Sequence, residues 1–287
     1  MLELRNKNDD ANDPEDLRSS RNYNITALPA PELGNKTIPI RIGHCVGGSS
    51  AINGQGVVRA SKRDYDIWGE LGGPGSTWTW DGLLPFFKKA MNLAEPDPAY
   101  AREWNITYDI PAAWGQYNTS RVRATFSTQF GELKKVLYKA LTKVPGLEIP
   151  KDGSAGSLGI FYYPISMEPI AHNRSYSRTG HWDGLNRPNY DIIVGMKVNR
   201  VLFKGSKASG VRFVPKEGGN AVTVSARKEI ILSAGALHTP QILLLSGIGP
   251  ASSLQEAKIP VKSDLPGVGQ NLQDHPTGPN MSFVCKC

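Results

Sequence analysis

Two glycine-rich stretches are the places in these 287 residues where main chain is best suited to meet a ligand. The first is GHCVGGSSAINGQG at 43–56. Gly47, Gly48, Gly54 and Gly56 let the backbone pass close to a flat or phosphorylated molecule. The second is KEIILSAGALHTPQILLLSGIG at 228–249, which reads as strand, tight glycine turn and helix. Such a turn offers backbone N–H groups and the positive end of a helix to an anion. By their residues alone, both stretches are equally compatible with an ordinary loop and an ordinary turn.

Other chemistries lack their residues. A serine hydrolase needs G-x-S-x-G, but the residues two after Ser49 and Ser50 are Ala51 and Ile52. The histidines, at His44, His172, His181, His238 and His275, form no H-E-x-x-H, and no Cys/His spacing suits a metal. Three cysteines, Cys45, Cys285 and Cys287, make no disulfide framework. The net charge is +7, but lysines and arginines are scattered singly or in pairs such as Lys88–Lys89, with acids interleaved. That is a solvated surface and not a nucleic-acid tract. The longest apolar run, Ile242 to Leu245, is far short of a membrane span.

Elements must position the two stretches. Residues 1 to about 20 are polar and charged and read as disordered; an extended, proline-rich segment follows to about 42. A helix is expected from near Asp81, capped by that residue, with Leu84, Phe87 and Met91 on one face. Residues 94–125 read as a long irregular loop. Phe130, Leu133, Leu137, Leu141 and Val144 recur at steps of three and four, the stripe of a helix packed on a core. From about 190 the period shortens. DIIVG at 191–195, RVLF at 200–203, GVRFV at 210–214, AVTVS at 221–225 and KEIILSA at 228–234 are expected strands, a β-meander among them. Thr239 and Pro240 mark the start of the following helix, and Gly247 and Gly249 its stop.

Four blocks in collinear order resemble the glucose–methanol–choline oxidoreductase family, over about 22–276. They are GGSSAING at 47–54 with DYDIWGELG at 64–72 and TWDGLLPFFKK at 79–89; SYSRTGHWDGLNRPNYDIIVGMKVNRVLF at 175–203; SAGALHTPQILLLSGIGP at 233–250; and LPGVGQNLQDHP at 265–276. The likeness is greatest to fungal-type members acting on aryl or aliphatic alcohols or on secondary metabolites. The implied fold is α/β (α+β): part of a Rossmann-like FAD-binding domain with part of a substrate domain. By the resemblance, 22–60 is a flavin-contacting extended segment, 61–165 part of the substrate domain, and 166–287 the second part of the FAD domain, after a disordered tail at 1–21.

The resemblance also implies a cofactor site. Gly47, Gly48 and Ser49 would line the flavin. Asn53, Gly54, Gln55 and Gly56 would hold it through hydrogen bonds, and the backbone of Val198 would meet the adenine. Gly235 and Ala236 would lie at a buried turn beside the cofactor, with Asp274 and His275 approaching the ring system. Members that tether flavin here carry a histidine where this chain has Ile52, so noncovalent FAD is expected. The implied partners are a small-molecule alcohol as hydride donor and oxygen or a quinone as electron acceptor.

Two family features are not found in the sequence: a GxGxxG turn within 1–42, and a catalytic histidine of the kind expected C-terminal of Cys287. Little turnover is therefore expected of these residues alone, and a non-catalytic remnant of the same family is the alternative. Six N-x-S/T sequons, at Asn24, Asn35, Asn105, Asn118, Asn173 and Asn280, point to secreted ancestry, although the first twenty residues contain no apolar signal-peptide core.

Overall fold

Polar caps start the first four helices of the computed structural model, which describes residues 21–23, 25–116, 120–128 and 131–274. It divides into two compact units, residues 1–187 and 188–287. In the first, strands β1 (Ile25–Thr26) and β2 (Pro39–Ile40) pair antiparallel. A 3₁₀ turn at Gly48–Ala51 follows. Helix α1 (Lys62–Leu71) starts at a capping box, in which Ser61 and Asp64 satisfy each other's backbone N–H. Helix α2 (Trp80–Ala90) is capped by the Thr79 hydroxyl on Gly82 N–H, not by the expected Asp81. Asp81 instead lies in the first turn, where its charge complements the helix dipole.

The expected loop at 94–125 holds the principal core of this unit. After β3 (Asn92–Leu93), Asp97 caps helix α3 (Pro98–Trp104) and Asp109 caps α4 (Ile110–Ala113). In both, proline occupies the first turn, where no N–H is needed. Strand β4 (Arg123–Ala124) then lies parallel to β3. Leu93, Trp104, Ile106, Ala113, Trp114, Ala124 and Phe126 form one buried cluster. Prolines and asparagines give this stretch a loop-like composition, yet its tryptophans supply the apolar area.

Helix α5 (Glu132–Leu141) forms, but its expected apolar stripe is not core. Leu133 and Val144 are exposed, Leu137 and Leu141 are half-buried, and Phe130 lies outside the described residues. The contacts come instead from the face of Lys135 and Tyr138. Lys135 Nζ sits 4.2 Å from the centre of the Trp104 ring, and Tyr138 stacks on Tyr162. Aromatic and cationic partners outrank aliphatic spacing here. The unit ends in a short helix, α6 (Ser177–His181).

In the second unit β5 (Met196–Lys204), β6 (Lys207–Pro215) and β7 (Val222–Ser225) form the expected antiparallel meander. Helix α7 (Gly235–Leu245) starts four residues before Thr239. Thr239 serves the start from inside the helix: its hydroxyl accepts from Ala234 N–H at 3.0 Å. As expected, the helix stops before Gly247, whose φ is 84°. Strand β8 (Ile248–Gly249), helix α8 (Ala251–Glu256) and strand β9 (Ser263–Asp264) follow, with β8 and β9 parallel. Two expected strands are absent. Residues 191–195 and 228–234 are irregular, and Ile231 is 75% exposed. A strand needs a ladder partner, and apart from Lys216 N–H to Gly195 O at 2.9 Å no described segment forms a ladder with either run.

Candidate functional site

The glycine-rich stretch at 43–56 is held by a second segment, 163–178, of the same unit. Gly43 N–H donates to the Ser49 hydroxyl at 3.1 Å. A side chain at Gly43 would run into the backbone of Gly48 and Ser49. Gly47 has a φ of 100°, and a Cβ there would sit 2.8 Å from the Tyr176 ring. The 3₁₀ turn can therefore form only with glycine at both places.

The side chains that follow are committed inward. Ser50 Oγ donates to Gly47 O, lies 3.1 Å from Ser177 Oγ, and accepts from Ser177 N–H at 3.2 Å. Asn53 Oδ1 accepts from Arg174 Nη1 at 2.7 Å and from Gln55 N–H at 3.1 Å. Gln55 is buried; its Nε2 donates to Ser166 O, and its own carbonyl accepts from Ser166 N–H. Gly56 bridges Ile165, and Val57 N–H donates to Pro164 O. Asn53 and Gly54 are exposed, and a Cβ on Gly54 would meet nothing within 4 Å. The loop is thus exposed at Ser49, Asn53, Gly54 and Gly56, while the polar groups of Ser49, Ser50, Asn53 and Gln55 are bonded within the protein.

Arg59 anchors the exit of the loop. Its guanidinium lies between the rings of Phe87 and Trp114, at 5.3 and 4.7 Å from their centres, and donates to the carbonyls of Ala113 and Ser154. Burial draws its pKa below the ordinary arginine value, with the nearby Asp152 carboxylate acting the other way. Asp152 in turn accepts from Trp114 Nε1 at 2.8 Å.

The second unit contributes a groove of about 580 Å³. Ala236, Leu237, Pro240, Gln241 and Leu244 of α7 form one wall and residues 269–273 the other. That volume falls within the usual range for small-molecule sites. Gly235, with a φ of 84°, opens the helix beside it. Two segments separate in sequence thus meet at one place, 235–236 and the residues just before Asp274. Val198 lies elsewhere on β5, paired with Phe213. Asp274 is exposed, and His275 lies outside the described residues.

The model of one protein family, GMC oxidoreductase, matches residues 25–277. The chain belongs to the GMC oxidoreductase family. Among the relatives it matches, dehydrogenase xptC of Emericella nidulans is 38% identical over 89% of this chain and 40% of its own length. A solved FAD-dependent oxidoreductase from Chaetomium thermophilum is 41% identical, with a TM-score of 0.83 over 89% of this chain and 43% of that one. A fungal aryl-alcohol oxidase is 36% identical, with a TM-score of 0.82 over 88% and 42%. The chain thus spans about two fifths of the length of the relatives it matches. Its mixed helices and strands are those of an α/β GMC FAD-binding fold.

Family motifs locate the glycines; they do not reveal what holds them. Arg174, Ser166 and Arg59 emerge only in three dimensions. Arg174 immediately precedes a family block, and nothing in its neighbourhood marks a partner at Asn53. Among the described residues no His/Cys/Asp/Glu cluster suits a metal ion, and no helix is long and apolar enough to cross a membrane.

Proposed function

We propose that this chain holds FAD, noncovalently, for an oxidoreductase that takes a hydride from the CH–OH carbon of a small-molecule alcohol and passes electrons to oxygen or a quinone. The observation that carries the proposal is the build of the 43–56 loop. Ser49, Asn53 and Gln55 are hydrogen-bonded within the protein, and Gly54, exposed between them, presents bare main chain with open space where a Cβ would lie. A planar ring system needs such a surface, with no Cβ in the way and little freedom to move. When bound, the flavin would supply hydride acceptance. The residues of this chain would bind and orient it: Gly47, Gly48, Ser49 and the 53–56 backbone at the ring, Gly235 and Ala236 at the α7 turn, Val198 at the adenine, with Asp274 and His275 close by.

The α7 groove fits a bound group of this kind. It opens at a helix N-terminus, where N–H groups suit phosphate, and Gly235 and Ala236 put almost no side chain there. We assign 22–60 and the chain from 166 to the FAD-binding part and 61–165 to the substrate side; within the first unit, the hydrogen bonds of 50–55 to 166–177 support grouping those two segments. Ile52 offers no nucleophile for a flavin tether. His44, the histidine nearest in sequence, is turned against Tyr23, with ring centres 4.2 Å apart. The alcohol class follows the aryl-alcohol oxidase to which the chain is similar.

The test is FAD titration of the purified chain, followed by flavin fluorescence and visible absorbance, then acid precipitation. Saturable binding with all flavin released to the acid supernatant is expected. A folded chain that binds no FAD would overturn the proposal, and flavin retained in the precipitate would overturn its noncovalent part.

A further inference from the structure

We infer that Asn35, Asn105 and Asn173 are N-glycosylation sites, each built to carry an N-linked oligosaccharide on an exposed turn of the first unit. The sequence holds seventeen asparagines and 35 serines and threonines in 287 residues, which by chance make about two N-x-S/T triplets with no proline at x. Six are present, and five precede residue 188. Asn24, Asn118 and Asn280 lie outside the described residues. The remaining three share a common setting.

Each of the three is exposed, and none of their side chains is hydrogen-bonded to another described residue. Asn35 and Asn105 are themselves left-handed, with φ of 59° and 54°, and Asn173 follows left-handed His172 at 53°. Asparagine tolerates this conformation, which throws the side chain clear of the turn. At Asn105 the mechanism is plain. Trp104 and Ile106 on either side are buried in the core, so the residue between them at the end of α3 must point out. Asn173 closes a turn in which its carbonyl accepts from Glu168 N–H, beside Ile170, which is 87% exposed. Asn35 lies between Leu33 and Ile38, also exposed. A glycan at either place would shield apolar side chains from other molecules.

Several asparagines outside the triplets are buried or engaged instead. Asn92 is fully buried and donates to two carbonyls, Asn53 is engaged by Arg174, and Asn199 Oδ1 is buried. The transfer joins the asparagine Nδ2 to the first sugar carbon of a lipid-linked oligosaccharide, with the lipid diphosphate leaving and one amide proton released. It requires passage through a secretory compartment, so the inference is independent of the flavin proposal and can fail without it.

The test uses protein purified from its own source. Peptide N-glycosidase in heavy-oxygen water converts each occupied asparagine to labelled aspartate, read by peptide mass spectrometry. Label at two or three of these positions is expected; label at one or none overturns the assignment. Thr37→Ala and Thr107→Ala, expressed in the same host, abolish two of the triplets at exposed hydroxyl positions. Each should remove one discrete step of apparent mass, and an unchanged mass in both overturns the assignment. Asn173→Gln is used for the third site, because the Ser175 hydroxyl is buried and accepts from Arg123 N–H, so its loss would disturb the fold.

Discussion

Arg174 donates a hydrogen bond of 2.7 Å to Asn53 Oδ1 across 121 residues of sequence, and the same Nη1 reaches Ser50 O at 3.3 Å. One cation thereby ties the C-terminal part of the 3₁₀ turn to the residues that follow it. A hydrogen bond with one charged partner contributes about 1.5–3 kcal/mol, and solvent at this exposed pair places it toward the lower end.

Arg174→Ala should therefore loosen the loop more than it destabilises the fold. Amide hydrogen exchange over 47–56 should quicken by about tenfold, the equivalent of 1.4 kcal/mol, while exchange in the Trp104–Trp114 core stays unchanged. Arg174→Lys keeps the charge but loses the fork geometry and should be intermediate. Exchange that accelerates equally in both regions would show that Arg174 supports the whole unit and not the loop.

The glycines of the loop should separate into two classes. Gly47→Ala meets both a left-handed backbone and the Tyr176 ring, and should cost about 1–3 kcal/mol of stability. Gly54→Ala has neither obstacle and should change stability by less than about 0.5 kcal/mol. If flavin lies against Asn53–Gly54, the second variant should nevertheless lose FAD affinity. Thermal melts with and without FAD test this. Equal stability losses in the two variants, or unchanged FAD affinity in Gly54→Ala, would refute the division.

Such distinctions mark the limit of what the sequence can show. The meander at 196–225 was legible because alternating strands and glycine turns are local signals, and α7 was legible at its Gly247 stop for the same reason. The core at 93–126 was not. Its helices are short, its prolines sit where helices tolerate them, and its apolar area comes from isolated tryptophans without a period. Strand character at 228–234 misled in the opposite sense: β-branched residues favour a strand, but only a paired neighbour makes one. The glycines of the 43–56 loop were singled out by motif, whereas Arg174, Ser166 and Arg59 act through partners far away in the chain, where no spacing rule reaches.

Ser246 gives a test in the second unit. Its buried hydroxyl accepts from Val201 N–H of β5 at 2.8 Å and donates to Ile242 O at the end of α7. The strand's unpaired edge is thus satisfied by a helix side chain. Ser246→Ala strands the buried Val201 N–H and should cost about 1–3 kcal/mol, measured as a lower urea midpoint at unchanged slope. A shift within experimental scatter would mean that water replaces the hydroxyl.

Acid should weaken the first unit through two helix caps. Hydrogen bonds from the Ser61 hydroxyl and backbone lower the Asp64 pKa, and Lys151 together with Ala112 N–H lowers that of Asp109, both from an ordinary value of 3.8. A carboxyl group whose pKa is lower folded than unfolded stabilises the fold above the unfolded value. That contribution disappears as pH falls through 3.8 toward the lower folded value, because the folded protein must then take up protons it resists. Both groups are at the surface, so each effect is small and weakens with salt. The melting temperature of the parent should drop across this window more steeply than that of an Asp64→Asn, Asp109→Asn double variant, and the two curves should converge at the acid end. Parallel curves from neutral pH down to the acid limit would remove the caps from the account of acid sensitivity.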